Sequence, residues 1–401
     1  MNESAVERLI RTNPDMEIWW DSSPLVFKPW VEKLVKAAEP SKKAVLKEQL
    51  SRLYNAESPA ESLFRGCTTN PPLSWTAVQN DPKYWAEWIR GESKKHPEMD
   101  NKQLAWATYK EIVKRGAEMF LPIFEASGGR FGWISGQLDP RLFTEVDQMV
   151  NDADELRALS PNVMIKVPAS MEGMEVLKIL ASKGISTNTT TCFTLPQILG
   201  SADATRAGHE LAQKNKVDTS KWRAVITMMI GRLTENPALD VQAERKNITL
   251  SWEDKHWYGV AVFRRAYRIL TDRGYPSKLL ACSMRPGPLV AGKMRYWDLQ
   301  KIAGGDIVYT CPPYVLEPLF QVGDDLDFEP EIEKDDVPAE VMEKMMKIPY
   351  AIQAYDPNGQ ALEQFNTHPA TVATVESFAK GFSSLEAFAA ENMREPELAH
   401  A

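Results

Sequence analysis

Short apolar runs rich in β-branched residues recur along the chain and alternate with longer stretches of helical period. The runs Met16–Trp20, Leu63–Thr68, Phe131–Ser135, Val163–Val167, Ile185–Thr189, Ala224–Met228, Lys278–Cys282 and Asp306–Thr310 read as strands. Between them, 102–125, 140–159, 171–183, 195–214 and 255–273 place apolar residues at three- and four-residue spacing and read as helices. Strands that alternate with helices form βαβ units and hence a parallel sheet. Eight of them point to an α/β protein with a closed (β/α)8 TIM barrel rather than an open sheet. The expected arrangement is a single domain over residues 1–401. A barrel needs about 250 residues, so the surplus is assigned to extra helices around 40–61 and 82–125 and to a C-terminal helical tail, 339–401. Within that tail, 369–390 carries Val375, Phe378, Phe382 and Phe388 at helical spacing. Such a helix packs outside the barrel or folds toward its mouth.

Composition narrows the function classes. The 401 residues hold 47 Lys+Arg against 55 Asp+Glu, a net charge of −8, and 43% are hydrophobic. That balance excludes a disordered or fibrous chain. No apolar run reaches the roughly 18 residues of a membrane span, and the first residues lack the layout of a signal peptide. Cys67, Cys192, Cys282 and Cys311 contain no CxxC pair, so neither a disulfide framework nor a zinc site is expected. A soluble cytoplasmic protein follows, with no metal, no cofactor, no membrane and no nucleic acid as partners. Anionic small molecules remain compatible with net acidity, because a local site can be basic. The segment 322–338 holds eight acids and one lysine and reads as an acidic insertion on a solvated surface.

In a parallel barrel, chemistry sits at the C-terminal ends of the strands. The polar residues there are Asp21, Asn70, Gln137, Lys166, Asn188, Thr190, Thr227, Arg232, Ser283 and Arg285. Lys166 is the most informative. It interrupts Val163, Met164, Ile165 and Val167, and burial among them favours the neutral, nucleophilic amine. A lysine that snorkels to water from a strand end is the alternative reading of that residue alone.

Taken together, NVMIKVPASMEGM, GCTTNPPL, GQLDPRL, GISTNTTTCFT, IGR and CSMR resemble the transaldolase family of class I, Schiff-base aldolases, in the family's order from about Met16 to Tyr314. The resemblance implies that Lys166 forms a Schiff base with a ketose carbonyl and that Asp21 transfers a proton. It implies that Asn70 and Asn188 bond the hydroxyls of a dihydroxyacetone unit and that Thr190 helps hold a water. Arg232 and Arg285, with Ser283, would bind the phosphate of a sugar-phosphate substrate. The implied activity is transfer of dihydroxyacetone between sugar phosphates, as in the pentose phosphate pathway. A homodimer is compatible with the resemblance, and the sequence leaves oligomeric state open.

The departures are specific. Gln137 stands where transaldolases carry a glutamate that works through the catalytic water. The fructose 6-phosphate aldolase branch also has glutamine there, with a tyrosine three residues before the arginine after strand 6. Here that place is Met229. Thr227 replaces a serine and keeps the hydroxyl. Release of free dihydroxyacetone, a specialised route with altered substrates, and a non-catalytic sugar-phosphate-binding barrel are the alternatives.

Several other patterns carry less. Gly287–Lys293 fits G-x-x-x-x-G-K, but Met294 supplies no hydroxyl for magnesium and Pro288 removes a backbone donor. Asp139-Pro-Arg141 reads as a turn with an ion pair, and the five histidines lack metal-ligand spacing.

Overall fold

The computed structural model describes residues 3–322 and 326–393. All eight expected strands form: β1 (Glu17–Asp21), β2 (Phe64–Thr68), β3 (Trp133–Gln137), β4 (Val163–Pro168), β5 (Thr187–Cys192), β6 (Ala224–Met229), β7 (Ser277–Cys282) and, after a small hairpin, β10 (Val308–Cys311). They close into one barrel in the order β1-β10-β7-β6-β5-β4-β3-β2, with every neighbouring pair parallel. Both faces of each strand are covered, one by the barrel interior and one by helices, so β1, β3, β4, β5 and β6 are buried at every position. The apolar runs among them are therefore unbroken rather than alternating, whereas β5 is buried with polar side chains along most of its length.

The largest slip between expectation and structure is at β5, expected to end at Thr189 and continuing to Cys192. Its register with β6 shifts between Thr189 and Cys192. Thr191 adopts φ of 48°, a left-handed conformation uncommon for threonine. The bulge takes Thr190 and Thr191 out of the ladder with β6, a device that re-aims side chains. The expected helix over 140–159 is corrected to a 3-10 turn, Pro140–Leu142, and a helix, Val146–Arg157. Asp139 is the cause: its Oδ1 accepts the Arg141 amide at 2.9 Å and its carboxylate grips the Arg141 guanidinium. The chain therefore turns before the helix begins.

The run Gly287–Lys293 is not a phosphate loop. It builds a hairpin of β8 (Leu289–Val290) and β9 (Lys293–Met294), with no helix opening at its lysine. Residues 323–325 of the acidic insertion lie outside the described residues. The described remainder is more than a solvated excursion. Leu326, Phe328 and Ile332 are buried, the Glu331 and Ile332 amides both donate to the Ala303 carbonyl, and Glu331 and Asp336 pair with Lys301 and Arg264. The acids point outward from an apolar seam. No helix among the described residues is long and apolar enough to cross a membrane.

The tail resolves the remaining expectation in favour of the mouth. The helix Pro369–Asn392 lies against the helices Pro71–Asn80 and Asn101–Ala126. Gly381 makes that approach possible, since a Cβ there would stand 2.4 Å from the Pro72 nitrogen. Phe382 packs on Tyr109 and Trp106, and Glu386 pairs with Arg141 at 2.7 Å. Residues 394–401 of the tail lie outside the described residues.

The opposite end of the barrel is closed by charge. Glu17, 2% exposed, accepts from Trp19 Nε1 at 2.9 Å and pairs with Arg223 and Lys278. Burial pushes its carboxyl up, and the two cations outweigh that and hold it below the usual glutamate range. A group held low in the folded state contributes stability above its unfolded pKa and loses it as pH falls through the folded value. Glu17→Gln should cost about 3 kcal/mol by taking the buried partner from the half-buried Arg223 and Lys278. It should also remove part of the acid-side loss of stability. Urea midpoints measured across pH 3–7 check both.

Candidate active site

The C-terminal ends of the strands bring most of the polar residues singled out in the sequence to one place. Lys166 on β4 stands in register with Gln137 on β3 and Asn188 on β5. Its side chain is 2% exposed, and its Nζ donates to the Thr69 carbonyl at 3.0 Å. Burial pulls its pKa below that of an ordinary lysine, against the opposing pull of Cys282, Asp21 and Cys67. Across the barrel, Asp21 ends β1. Thr68 Oγ1 donates to one of its carboxylate oxygens at 2.7 Å, and the Cys282 thiol approaches the other at 3.8 Å. Burial pushes Asp21 above the usual aspartate range, although Lys166 and Thr68 draw it back. A buried amine and a buried carboxyl thus share one interior, each more easily neutral than in water.

Asn188, Thr227 and Ser135 form a chain. Thr227 Oγ1 donates to Asn188 Oδ1 at 2.6 Å, and Asn188 Nδ2 donates to Ser135 Oγ at 3.0 Å. Asn70 caps the helix Pro71–Asn80, its Oδ1 accepting the Leu73 amide at 2.9 Å. Gln137 is fixed from behind: the Tyr109 hydroxyl accepts from its amide at 2.7 Å and donates to its carbonyl at 2.9 Å. Gln137 Oε1 and Thr190 Oγ1 are buried and have no hydrogen-bond partner among the described residues.

Above this lies a cavity of about 370 Å3 whose walls include Asp21, Asn70, Arg232, Ser283 and Arg285. Lys166 is not itself part of the open wall; its Nζ is 6.0 Å from the ring centre of Phe378, which is. Arg232 lies over the same ring at 5.3 Å. Among the described residues no carboxylate comes within ion-pair distance of Arg232, whereas Arg285 Nε contacts Glu235 at 2.8 Å. Burial lowers the Arg232 pKa, with Arg285 adding to it. Burial also weakens the charge of Arg285, but Tyr314 and Glu235 beside it more than restore it. The Arg285 amide is held by Asp298, which also bonds His256 Nδ1, each at 2.8 Å.

The two guanidiniums meet because of a glycine. Ser283 takes φ of 58° and turns its carbonyl to accept the Gly231 amide at 3.0 Å. A Cβ on Gly231 would lie 2.2 Å from that oxygen and 3.0 Å from Arg285 Cζ. Two forked cations around one opening suit a tetrahedral dianion such as a phosphoryl group. A hollow of about 410 Å3 at the other end of the barrel is lined by Glu17, Arg223, Lys278 and Asp306, whose charges pair with one another. There Arg223 and Arg130 each pair with a carboxylate, unlike Arg232.

Sequence reasoning did not single out Thr68, Tyr109, Tyr314, Ser377 or Phe378 for this site. Thr68 sits in GCTTNPPL, next to the assigned Asn70, and alternation along β2 could have found it. Phe378 was visible only as an apolar position of a helix, and Tyr109 had no local signal at all.

Comparison with known proteins gives the family. Residues 50–387 match the model of the family described as Transaldolase/Fructose-6-phosphate aldolase. The chain belongs to that family. Among its curated relatives is a protein named Transaldolase from Mycobacterium ulcerans (strain Agy99), 29% identical over 208 residues, or 50% of this chain and 53% of that one. Another protein named Transaldolase, from Thiobacillus denitrificans, is 26% identical over 273 residues, 65% of this chain and 75% of that one. The chain spans about half the length of the curated relatives first matched. This member of the transaldolase/fructose-6-phosphate aldolase family has a lysine on β4, an aspartate on β1 and two arginines around one opening, with Gln137 and Met229 in the same barrel.

Gly231→Ala should push the Ser283 carbonyl away and part the two guanidiniums. Inorganic phosphate should then bind about tenfold or more weakly, the scale of a lost charge-assisted pair. Calorimetric titration of phosphate, with the circular dichroism spectrum as a control for folding, checks this.

Proposed function

We propose that the chain is a Schiff-base transaldolase that moves a dihydroxyacetone unit from a ketose phosphate to an aldose phosphate. The observation that carries this reading is the Lys166 amine, buried, with a lowered pKa and in the field of Asp21, under a cavity walled by Arg232 and Arg285. The neutral amine attacks the ketose carbonyl, and loss of water leaves an iminium on Nζ. The iminium draws electrons from the C3–C4 bond while Asp21 takes the proton of the C4 hydroxyl. The aldose phosphate leaves, and the three-carbon enamine stays bound to Lys166. An incoming aldehyde takes up the enamine carbon and regains the proton from Asp21, and water then frees the new ketose from the lysine. Asn70 and Asn188 hold the hydroxyls of the three-carbon unit, and the two arginines hold the phosphate.

Water must be handled at the first and last steps. Gln137 Oε1 and Thr190 Oγ1, both buried and unpartnered, suit a water or a substrate hydroxyl as the group that satisfies them. Gln137 orients such a water but exchanges no proton with it. That residue favours a second reading on the same scaffold, an aldolase that releases free dihydroxyacetone. The substrates would be sugar phosphates in either case.

Borohydride added during turnover of fructose 6-phosphate should fix the three-carbon unit to Lys166, read by peptide mass. Absence of any adduct with fructose 6-phosphate and sedoheptulose 7-phosphate would sink the reading. Asp21 favours the ammonium form of Lys166, so Asp21→Asn should shift the acidic limb of the trapping rate to lower pH. The same change should lower turnover about 100-fold or more, the scale of one positioned acid–base group. Gln137→Glu should raise transfer to an acceptor relative to release of dihydroxyacetone, measured with and without erythrose 4-phosphate. An unchanged ratio would separate Gln137 from that partition.

A further inference from the structure

The helix Pro369–Asn392 does more than cover the mouth. Its residues Thr374 and Ser377 stand one turn apart on the face turned to Arg232. The guanidinium Nη1 points at Thr374 Oγ1 at 3.4 Å and Nη2 at Ser377 Oγ at 3.5 Å. Both distances are long for hydrogen bonds to a cation, so the hydroxyls flank Arg232 without saturating it. A hydroxyl that receives an N–H still has its own proton to give. In a helix that proton ordinarily goes to the carbonyl four residues back, as Ser384 does to Lys380 at 3.0 Å. Among the described residues, Thr374 and Ser377 donate to no carbonyl. Ser377 also lines the cavity shared by Arg232, Ser283 and Arg285, and Thr374 is 1% exposed behind it. Phe378, next in the chain, fixes the rotation of the helix by placing its ring under the Arg232 guanidinium.

We infer that the terminal helix is part of the anion site, with the Ser377 hydroxyl, seconded by Thr374, donating to the same phosphoryl oxygens that Arg232 and Arg285 bind. The assignment rests on the reading of the cavity as a sugar-phosphate site and adds to it a determinant from outside the barrel. The oxyanion is drawn between a forked cation and two hydroxyls, so a substrate is selected by its phosphate at one end as well as by its carbonyl at the other.

The test uses the full chain and inorganic phosphate as probe, with Ser377→Ala, Ser377→Thr and Arg232→Ala. Ser377→Ala should weaken phosphate binding about tenfold, the loss of one hydrogen bond to a charged group, and Ser377→Thr should restore most of it. The KM for fructose 6-phosphate should rise in step, and by more than the KM for unphosphorylated fructose. A purely structural serine would move both substrates alike and would lower the thermal midpoint. Phosphate binding by Ser377→Ala within twofold of the unmodified chain overturns the assignment, and so does unaltered binding by Arg232→Ala. If Ser377→Ala loses phosphate affinity while borohydride finds no adduct on Lys166, the anion site stands and the transfer reading falls.

Discussion

A primary amine kept out of water is the constraint around which the rest of this molecule is arranged. Lys166 is held on a strand buried at every position, and its neighbours in register are two amides, Gln137 and Asn188, rather than carboxylates. A full ion pair alongside it would keep it protonated and inert. The structure instead sets Asp21 across the interior, its own carboxyl made reluctant to ionise by the same burial. Desolvation disfavours the charged form of each group, and each moderates the other. Such an arrangement costs stability that a hydrophobic pair would not, and the sealed, apolar construction of the surrounding barrel offsets it.

Charge is sorted between the two ends of the barrel. At the N-terminal end, Glu17 neutralises Arg223 and Lys278 in place. At the C-terminal end, Arg232 has hydroxyls and an aromatic ring for company and, among the described residues, no carboxylate within ion-pair distance. The protein as a whole is acidic, so an unspent guanidinium at the mouth is a local decision of the fold. It depends on Gly231 and on the left-handed turn at Ser283, which let two loops approach more closely than any side chain at position 231 would permit.

The barrel itself was legible because most parallel strands covered on both faces are short apolar runs, and eight strand runs separated by helical periods admit few topologies. The residues at the strand ends were legible for the same reason: a Lys among Val, Met and Ile, or an Asp after two tryptophans, contradicts its surroundings. Family resemblance then supplied roles that spacing alone does not carry. What stayed hidden depends on contacts between distant parts of the chain. Tyr109 clamps Gln137 from a helix that looks like any amphipathic helix. Thr374 and Ser377 reach Arg232 across more than 140 residues of sequence. The bulge in β5 was missed because strand pattern marks composition, whereas the slip arises from the pairing with β6. The acidic segment was misjudged in part because its eight charges mask three buried apolar residues between them.

The order of elements along the chain has a consequence for biosynthesis. All eight strands, and with them the reactive amine, precede the helix that roofs the mouth. All eight strands leave the ribosome before their roof does, and Gly381 must then meet the Pro71–Pro72 step for the last helix to settle over the mouth.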